Sequence, residues 1–578
     1  MQVNCCVWSK FVIHLYTRQG RLRGLMSISR DSAAMSRLTS LFEKSRNEHI
    51  TLCYQLGSRS MCRMLIPILA TLPILTYANG PSGYATVDVV DLVKSSAANC
   101  TFVGSSIIRC AGPIEINALE RTSVVGHGSR IEFLDARPGR GGLRLNNANQ
   151  VNLSDIEIGW LGGGARDPII PGTPRIQSFG KVSACVAGGP GGMLVLDQPL
   201  EGVMPLGAVS VWDDTKGWPW YQSAPTKQFE RYFPAGSEAR FSGGRSDCIN
   251  RLSALVGRRV LVRHEVYSAN AFVCTGCTNV TIERVRVTSA PGLAFVFRGG
   301  GTHIVLRKNI VEPKCWPNCS MPEPSVAADA SHLSGLGGDI TIEYNDFGWQ
   351  GDDGVNINGL MIPARAEAAA GSGDSWRVVD DKFKPRLTFL SAGNEVKLFD
   401  HGLNSLGSAN VLGVDAQAGT IRLSHMPNIT AEVVIVRADE IPTDVVVRGN
   451  EFHDNRARAI VMGGSNAIVA DNVIERVSMA AILVPADTGP TYEGPGAEHV
   501  KITGNRISDV NHCDSPKYPS AISAGVVTAE GFTGRIGSPI TDVEVDGNSF
   551  VRVYSNAGEP VHFGDGVSNG QMHSNLNK

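Results

Sequence analysis

Charge is what this chain has little of. Of its 578 residues, 19% are charged and 7% aromatic, and the formal net charge is −2. With 42% apolar residues beside so few charged ones, neither a disordered chain nor a coiled coil fits. No excess of basic residues is available to neutralise phosphates, so no nucleic-acid partner is expected. Long apolar runs are missing as well. The uncharged stretch Met64 to Leu75 is too short to span a bilayer, which takes about 20 apolar residues. No integral membrane segment is therefore expected in the mature chain.

What is present is glycine, 64 residues, which predicts many turns, and an uneven charge. Residues 1 to 63 hold ten Lys/Arg against three Asp/Glu, and the remainder is acidic, 43 against 52. The run Met64–Leu75 follows Arg63 and precedes Thr76-Tyr77-Ala78, a small-x-small cleavage site. That pattern predicts a secretory signal over residues 61–78, with a start at Met61 or Met64 and residues 1–60 a dispensable extension. A second cleavage option follows Gly83-Tyr84-Ala85. The alternative is an apolar core segment flanked by a helical arm. The expected location is periplasmic or extracellular.

Nine cysteines follow the signal: Cys100, Cys110, Cys185, Cys248, Cys274, Cys277, Cys315, Cys319 and Cys513. Export favours local bridges such as Cys100 to Cys110. The spacing of Cys274 and Cys277 with Cys315 and Cys319 also admits a zinc ribbon, with disulfides the preferred reading.

A short strand ending in asparagine recurs: VLRKN at Asn309, TIEYN at Asn345, VVRGN at Asn450, IVADN at Asn472, KITGN at Asn505 and EVDGN at Asn548. Each unit is too small to bury a core alone, so units must stack. Asparagine at a tight corner tolerates the left-handed conformation, and stacked amides can bond to one another. The predicted fold is all-β, a right-handed parallel β-helix (solenoid). A β-propeller, the rival, wants longer units. Two stretches without the Asn unit carry alternating strand patterns and predict two inserted small β-barrel or sandwich domains. The predicted order is β-helix over 79–185, an insertion over 186–265, catalytic coils over 266–359, a second insertion over 360–441, and C-terminal coils over 442–578. In the first insertion, Trp212, Trp218, Trp220 and Tyr221 fill a barrel core or stack on sugars, the core use being more frequent.

Candidate chemistry lies at Asp329 in AADASH and at Asp352 and Asp353 in GDDGVNI. If Asn345 and Asn450 are equivalent corners, Phe347 falls on Phe452 and Val355 on Ile460. A column Asp329, Asp353, Arg458 then climbs the outside of successive coils, about 4.8 Å apart, with Asp352 beside it. Carboxylates this close separate in pKa, one raised by its neighbours and one held charged by an Arg. Such a pair is what glycoside hydrolysis needs. No metal-type acidic array occurs, so neither metal nor cofactor is expected. Taken singly, Asp-Asp-Gly is a turn and Asp329 a solvated residue; the one-coil spacing and the adjacent Arg shift the reading to catalysis.

The segment from Asp329 to Gly359, with NRARAI at Asn455–Ile460 and TYEG at Thr491–Gly494, resembles glycoside hydrolase family 110, the exo-acting α-1,3-galactosidases. The likeness extends over roughly Val280 to Asn548. It implies a β-helix with two β-barrel insertions and inversion at the anomeric carbon without a metal. It further implies Asp329 as general acid, Asp352 with Asp353 supplying the base, and Arg456, Arg458, Tyr492 and Glu493 lining the galactose site. His332 and Asn356 join as candidate substrate-binding neighbours. Two positions depart from the family's pattern: Thr491 stands where an aromatic wall is expected, and Asn358 where a histidine is. The implied substrate is an oligo- or polysaccharide with terminal α-galactose. One alternative is a polygalacturonase-like hydrolase, whose Asn-Thr-Asp and Arg-Ile-Lys motifs are missing here. The other is a non-enzymatic β-helix adhesin or carbohydrate binder.

Overall fold

The computed structural model describes residues 84–163, 256–264, 267–367 and 375–577, with breaks at 97, 316, 319–322, 425–431, 490, 513–518, 530 and 556. Strands within 14–63 and 176–241 are described in part. The signal segment from Met64 onward, the side chains of Cys185, Cys248, Cys319 and Cys513, and the Trp212–Tyr221 aromatic group lie outside the described residues. Residues 1–82 and 83–578 form separate units. In the first, the strands His14–Thr17, Gly20–Leu22, Thr51–Leu56 and Arg59–Arg63 form one antiparallel sheet.

The second unit is a parallel β-helix. One wall is a ten-stranded parallel sheet that includes Leu143–Asn146, Phe272–Thr275, Phe295–Arg298, Ser331–Ser334, Val355–Asn358, Ile460–Met462 and Ile482–Asp487 in spatial order. Facing strands such as Thr278–Glu283, Ile304–Arg307, Gly338–Glu343 and Thr443–Arg448 stack in register, for example Ile304 on Ile340 and Ile340 on Val445. Alternation in those strands sends Val280, Ile282, Ile304, Leu306, Ile340, Ile342, Val445 and Val447 inward, where all are fully buried. Each such side chain contributes about 1.5–3 kcal/mol. A file of rings adds to the same core, with Phe347 and Phe452 5.9 Å apart edge to face.

The asparagines form a ladder. The side-chain oxygen of Asn345 accepts from the backbone and side-chain nitrogens of Asn309, Asn450 serves Asn345 likewise, and the pattern continues through Asn472, Asn505, Asn548 and Asn575. The expectation that asparagine itself takes the left-handed corner is corrected. The positive φ falls on the residue before it: Lys308, Tyr344, Gly449, Asp471, Gly504, Gly547 and Ser574. The turn is made one position early so that the amide can point inward, where Asn450, for example, donates to the Ile342 carbonyl at 2.9 Å.

Two insertions interrupt the coils. The first is a six-stranded antiparallel sheet whose root pairs Gln177–Gly188 with Arg259–His264. It begins at Gln177 rather than at 186, because Gln177 must pair with Arg263 for the chain to leave and rejoin the solenoid at one place. The second is a closed six-stranded barrel of Met361–Ala366, Ser375–Val378, Thr420–Leu423, Ser405–Asp415, Glu395–Phe399 and Glu432–Arg437, built around Trp376, Leu387, Ile421 and Ile435. Cys100 is bridged to Cys110 and Cys274 to Cys277. Cys315 is bridged as well, so these sulfurs follow the disulfide reading and not the zinc ribbon.

Candidate active site

Three successive coils turn the same corner just before their strands in the ten-stranded wall. Ser331 pairs with Val355 and Val355 with Ile460. Two residues earlier, Asp329, Asp353 and Arg458 therefore hold one position on consecutive coils, tied by Ala330 N–H to the Asp353 carbonyl and Gly354 N–H to the Arg458 carbonyl, both 2.9 Å. The second barrel leaves after Asn358 and returns before Thr443 without disturbing this register. Gly351 permits the close stacking, since a Cβ there would collide with the Ala327 carbonyl.

Asp329 and Asp353 are 4% and 2% exposed, so this is a dry corner and not a solvated turn. One oxygen from each of Asp329, Asp352 and Asp353 lies within 4.8 Å of the others. Each carboxylate has a cationic partner of its own. Asp329 Oδ2 is 2.8 Å from His332 Nδ1, Asp352 Oδ1 is 2.9 Å from Arg456 Nη2, and Asp353 Oδ2 is 2.8 Å from Arg458 Nη2. The backbone helps: Asp353 N–H donates to Asp329 Oδ1 and Arg458 N–H to Asp353 Oδ1.

Protonation divides the trio. Burial pushes Asp329 above its ordinary value, against the His332 hydrogen bond and with the Asp352 charge. Burial also drives Asp353 well up, opposed by Arg458 and reinforced by Asp352 and Asp329. Burial acts on Asp352 too, but Arg456, Arg458, Arg263 and the Tyr267 hydrogen bond outweigh it and hold that carboxyl below its ordinary value. Burial lowers His332, yet Asp329, Glu493 and Asp353 raise it to about 9. One carboxyl is held toward the charged form beside two pushed toward the protonated form, which is the direction of division that acid/base chemistry requires.

Two contributors were not anticipated. Tyr267, half exposed at the end of the first insertion, donates from its hydroxyl to Asp352 Oδ2 at 2.7 Å. Arg263, buried on the root strand of that insertion, donates at 2.7 Å to the carbonyls of both Ala327 and Gly351. The apolar run within Arg259–His264 marks a strand but says nothing of where its root docks, so no sequence signal pointed to either residue.

The remaining candidates divide. Asn356 donates to Glu493 Oε2 at 3.4 Å, and its own oxygen accepts from Asn358, whose oxygen in turn accepts from Ser334. His332 Nε2 reaches the same Asn358 amide. His332, Asn356 and Glu493 thus join the acidic corner through one polar strip. Arg456 and Arg458 are engaged with the carboxylates. Tyr492 goes elsewhere: its ring stands edge-on to Phe383 at 5.3 Å, and its hydroxyl is 3.2 Å from His401 Nδ1, both in the second barrel. The neighbouring carbonyls of Thr491 and Tyr492 are held by Arg386, so this aromatic residue fastens the barrel to the solenoid.

No family model matches the chain. Alpha-1,3-galactosidase A of Shewanella woodyi is 25% identical over 280 residues, 46% of this chain and 43% of that protein. Alpha-1,3-galactosidase A of Bacteroides fragilis is 23% identical over 288 residues, 45% of this chain and 44% of that protein. The chain thus spans less than half the length of these curated relatives. Among solved structures it is similar to the mannuronan C-5 epimerase AlgE4 A-module of Azotobacter vinelandii, with TM-score 0.35 and 10% identity over 86% of this chain and 93% of that one. A polygalacturonase from Erwinia carotovora gives TM-score 0.32 and 11% identity, again over 86% and 93%. The two curated sequences carry the resemblance to glycoside hydrolase family 110 that the Asp-Asp, NRARAI and TYEG motifs display.

Proposed function

We propose that the chain is an exported glycoside hydrolase that releases terminal α-1,3-linked galactose from an oligo- or polysaccharide, acting from the chain end and with inversion. The supporting observation is the corner itself: three carboxylates within 4.8 Å, two of them buried, of which Asp352 is held toward the charged form while Asp329 and Asp353 are pushed toward the protonated form. In this reading Asp329, which shares a proton with His332, protonates the departing glycosidic oxygen. Asp352, kept ionised by Arg456 and Tyr267, takes the proton from the attacking water. Asp353 sets the local charge through Arg458, and Asn356 and Glu493 offer polar groups to the sugar hydroxyls. Arg456 and Arg458 act on the sugar through the carboxylates they hold.

The spacing favours a second stereochemical reading. Inverting enzymes keep their carboxyls roughly 6.5–9.5 Å apart to admit a water, and retaining ones about 5–5.5 Å. Nearest oxygens within 4.8 Å fit the shorter range, in which Asp352 would be a nucleophile. A screen on α-linked galactosides, with a galacturonan as control, tests the substrate class; release of galactose from neither an α-1,3-galactoside nor an aryl α-galactoside would remove the proposal. Proton NMR of the fresh reaction separates the stereochemical readings: β-galactose first means inversion, α-galactose first a covalent intermediate.

A further inference from the structure

Just upstream of the acidic corner, the same coils carry a second cluster that the hydrolytic chemistry does not use. Val311 pairs with Phe347, and Gly348 pairs with His453, so Glu312, Gly348 and His453 take one position on three consecutive coils. The middle residue has no side chain, and a Cβ there would collide with Glu312 Oε1. Through that gap Glu312 Oε1 comes to 2.8 Å from His453 Nε2, and Asp346 Oδ1 lies 3.2 Å from the same nitrogen. One ligand atom from each of the three residues lies within 4.8 Å of the others.

Two details separate this cluster from an ordinary ion pair. Glu312 is fully buried, and the His453 ring nitrogen that it meets at 2.8 Å is shared with Asp346. Two carboxylates converging on one ring nitrogen carry more negative charge than a single imidazolium offsets, and a divalent cation between them would balance both. Second, His453 Nδ1 is 2.8 Å from Asp454 Oδ2, and the buried Asp454 is itself gripped by Arg476 through Nε and Nη2 at 2.7 and 2.8 Å. A carboxylate that fixes one ring nitrogen so that the other faces oxygen donors is how proteins orient a metal-binding histidine.

We infer that Glu312, Asp346 and His453 form a structural site for one divalent transition ion of the zinc type. The imidazole nitrogen disfavours calcium and magnesium, which take oxygen ligands, while one imidazole with two carboxylates suits zinc. Metal–ligand distances of about 2.0–2.2 Å set tetrahedral ligands about 3.4 Å apart, so the present 2.8 and 3.2 Å separations need only open slightly. Binding displaces the Nε2 proton to solvent, and two carboxylates balance the ion's two positive charges. The side chain of Asp346, 33% exposed, offers a way in. The ion would staple the coil leading to Asp352 and Asp353 to the coil leading to Arg456 and Arg458, on either side of the second barrel. This inference does not depend on the proposed reaction.

The test uses the full chain, stripped with a chelator and dialysed, then titrated with zinc by calorimetry and with cobalt by visible absorption. One equivalent of zinc, tetrahedral cobalt bands and a Tm raised by several degrees are expected, with affinity lowered at least tenfold in His453→Gln and in Asp346→Asn. Asp352→Asn should bind as the parent does. Should His453→Gln not fold, Asp346→Asn, at the partly exposed ligand, decides alone. Absence of saturable binding by the folded chain overturns the inference. So does a site that survives Asp346→Asn but is lost in Asp352→Asn, which would put the ion on the acidic trio.

Discussion

Asp329 faces an imidazole where its two neighbours face guanidiniums, and that difference decides which carboxyl can give up a proton. A guanidinium stays charged at any working pH, whereas the His332 ring can exchange a proton with Asp329 across 2.8 Å. If Asp329 is the acid, Asp329→Asn should slow a natural galactoside by roughly 10²–10⁴-fold while sparing an aryl galactoside, whose leaving group needs no proton. Asp352→Asn and Asp353→Asn should impair both substrates alike; equal losses for all three variants on both substrates would undo the assignment. Tyr267 gives a pH signature. Its hydrogen bond lowers the Asp352 pKa, so Tyr267→Phe raises that pKa. A base works only when ionised, above its pKa, and the ascending acid limb of the rate profile should therefore move to higher pH. A hydrogen bond to a charged group is worth about 1.5–3 kcal/mol, so the loss on that limb should be roughly tenfold or more, while the descending limb, set by Asp329, stays near its place. An unmoved acid limb would mean that Tyr267 does not tune the base.

The coil is the next unit up, and its corner rests on the asparagine ladder. The amide of Asn450 donates to the Ile342 carbonyl and to Asn472 while its oxygen receives both nitrogens of Asn345. Replacing it by alanine strands these buried groups. Each unmet buried group costs about 1–3 kcal/mol, and Asn450→Ala is expected to lower stability by roughly 2–4 kcal/mol, read from the urea midpoint; a change under about 0.5 kcal/mol would show that water replaces the ladder. The six repeats and their register were legible because a stacked corner demands the same residue at the same step. The left-handed turn one position earlier was not: Lys308, Tyr344, Gly449 and Asp471 share no side-chain chemistry, and only the backbone reveals what they have in common.

Over the whole chain, residues 1–82 and 83–578 are separate units, and the Asn repeat does not occur in the first. We propose that a chain starting at Asn79 refolds with unchanged Tm and unchanged activity. A fall in Tm beyond a few degrees on that truncation would show the extension to be part of the folded core.

The sequence by itself determined the solenoid, the two interruptions, and the placing of Asp329, Asp353 and Arg458 on consecutive coils, since in a stacked fold neighbours in space are equivalents in the repeat. Tertiary structure alone decided the rest. Arg263 and Tyr267 meet the acidic corner because an inserted sheet docks its root there, and Tyr492 turns from the corner to Phe383 and His401 because the second barrel packs against it. Neither docking follows a repeat, so no periodicity in the chain records it. The direction in which each of the three carboxyls is shifted is of the same kind: it depends on how deeply each is buried and on which cation lies beside it, quantities that exist only once the coils have closed.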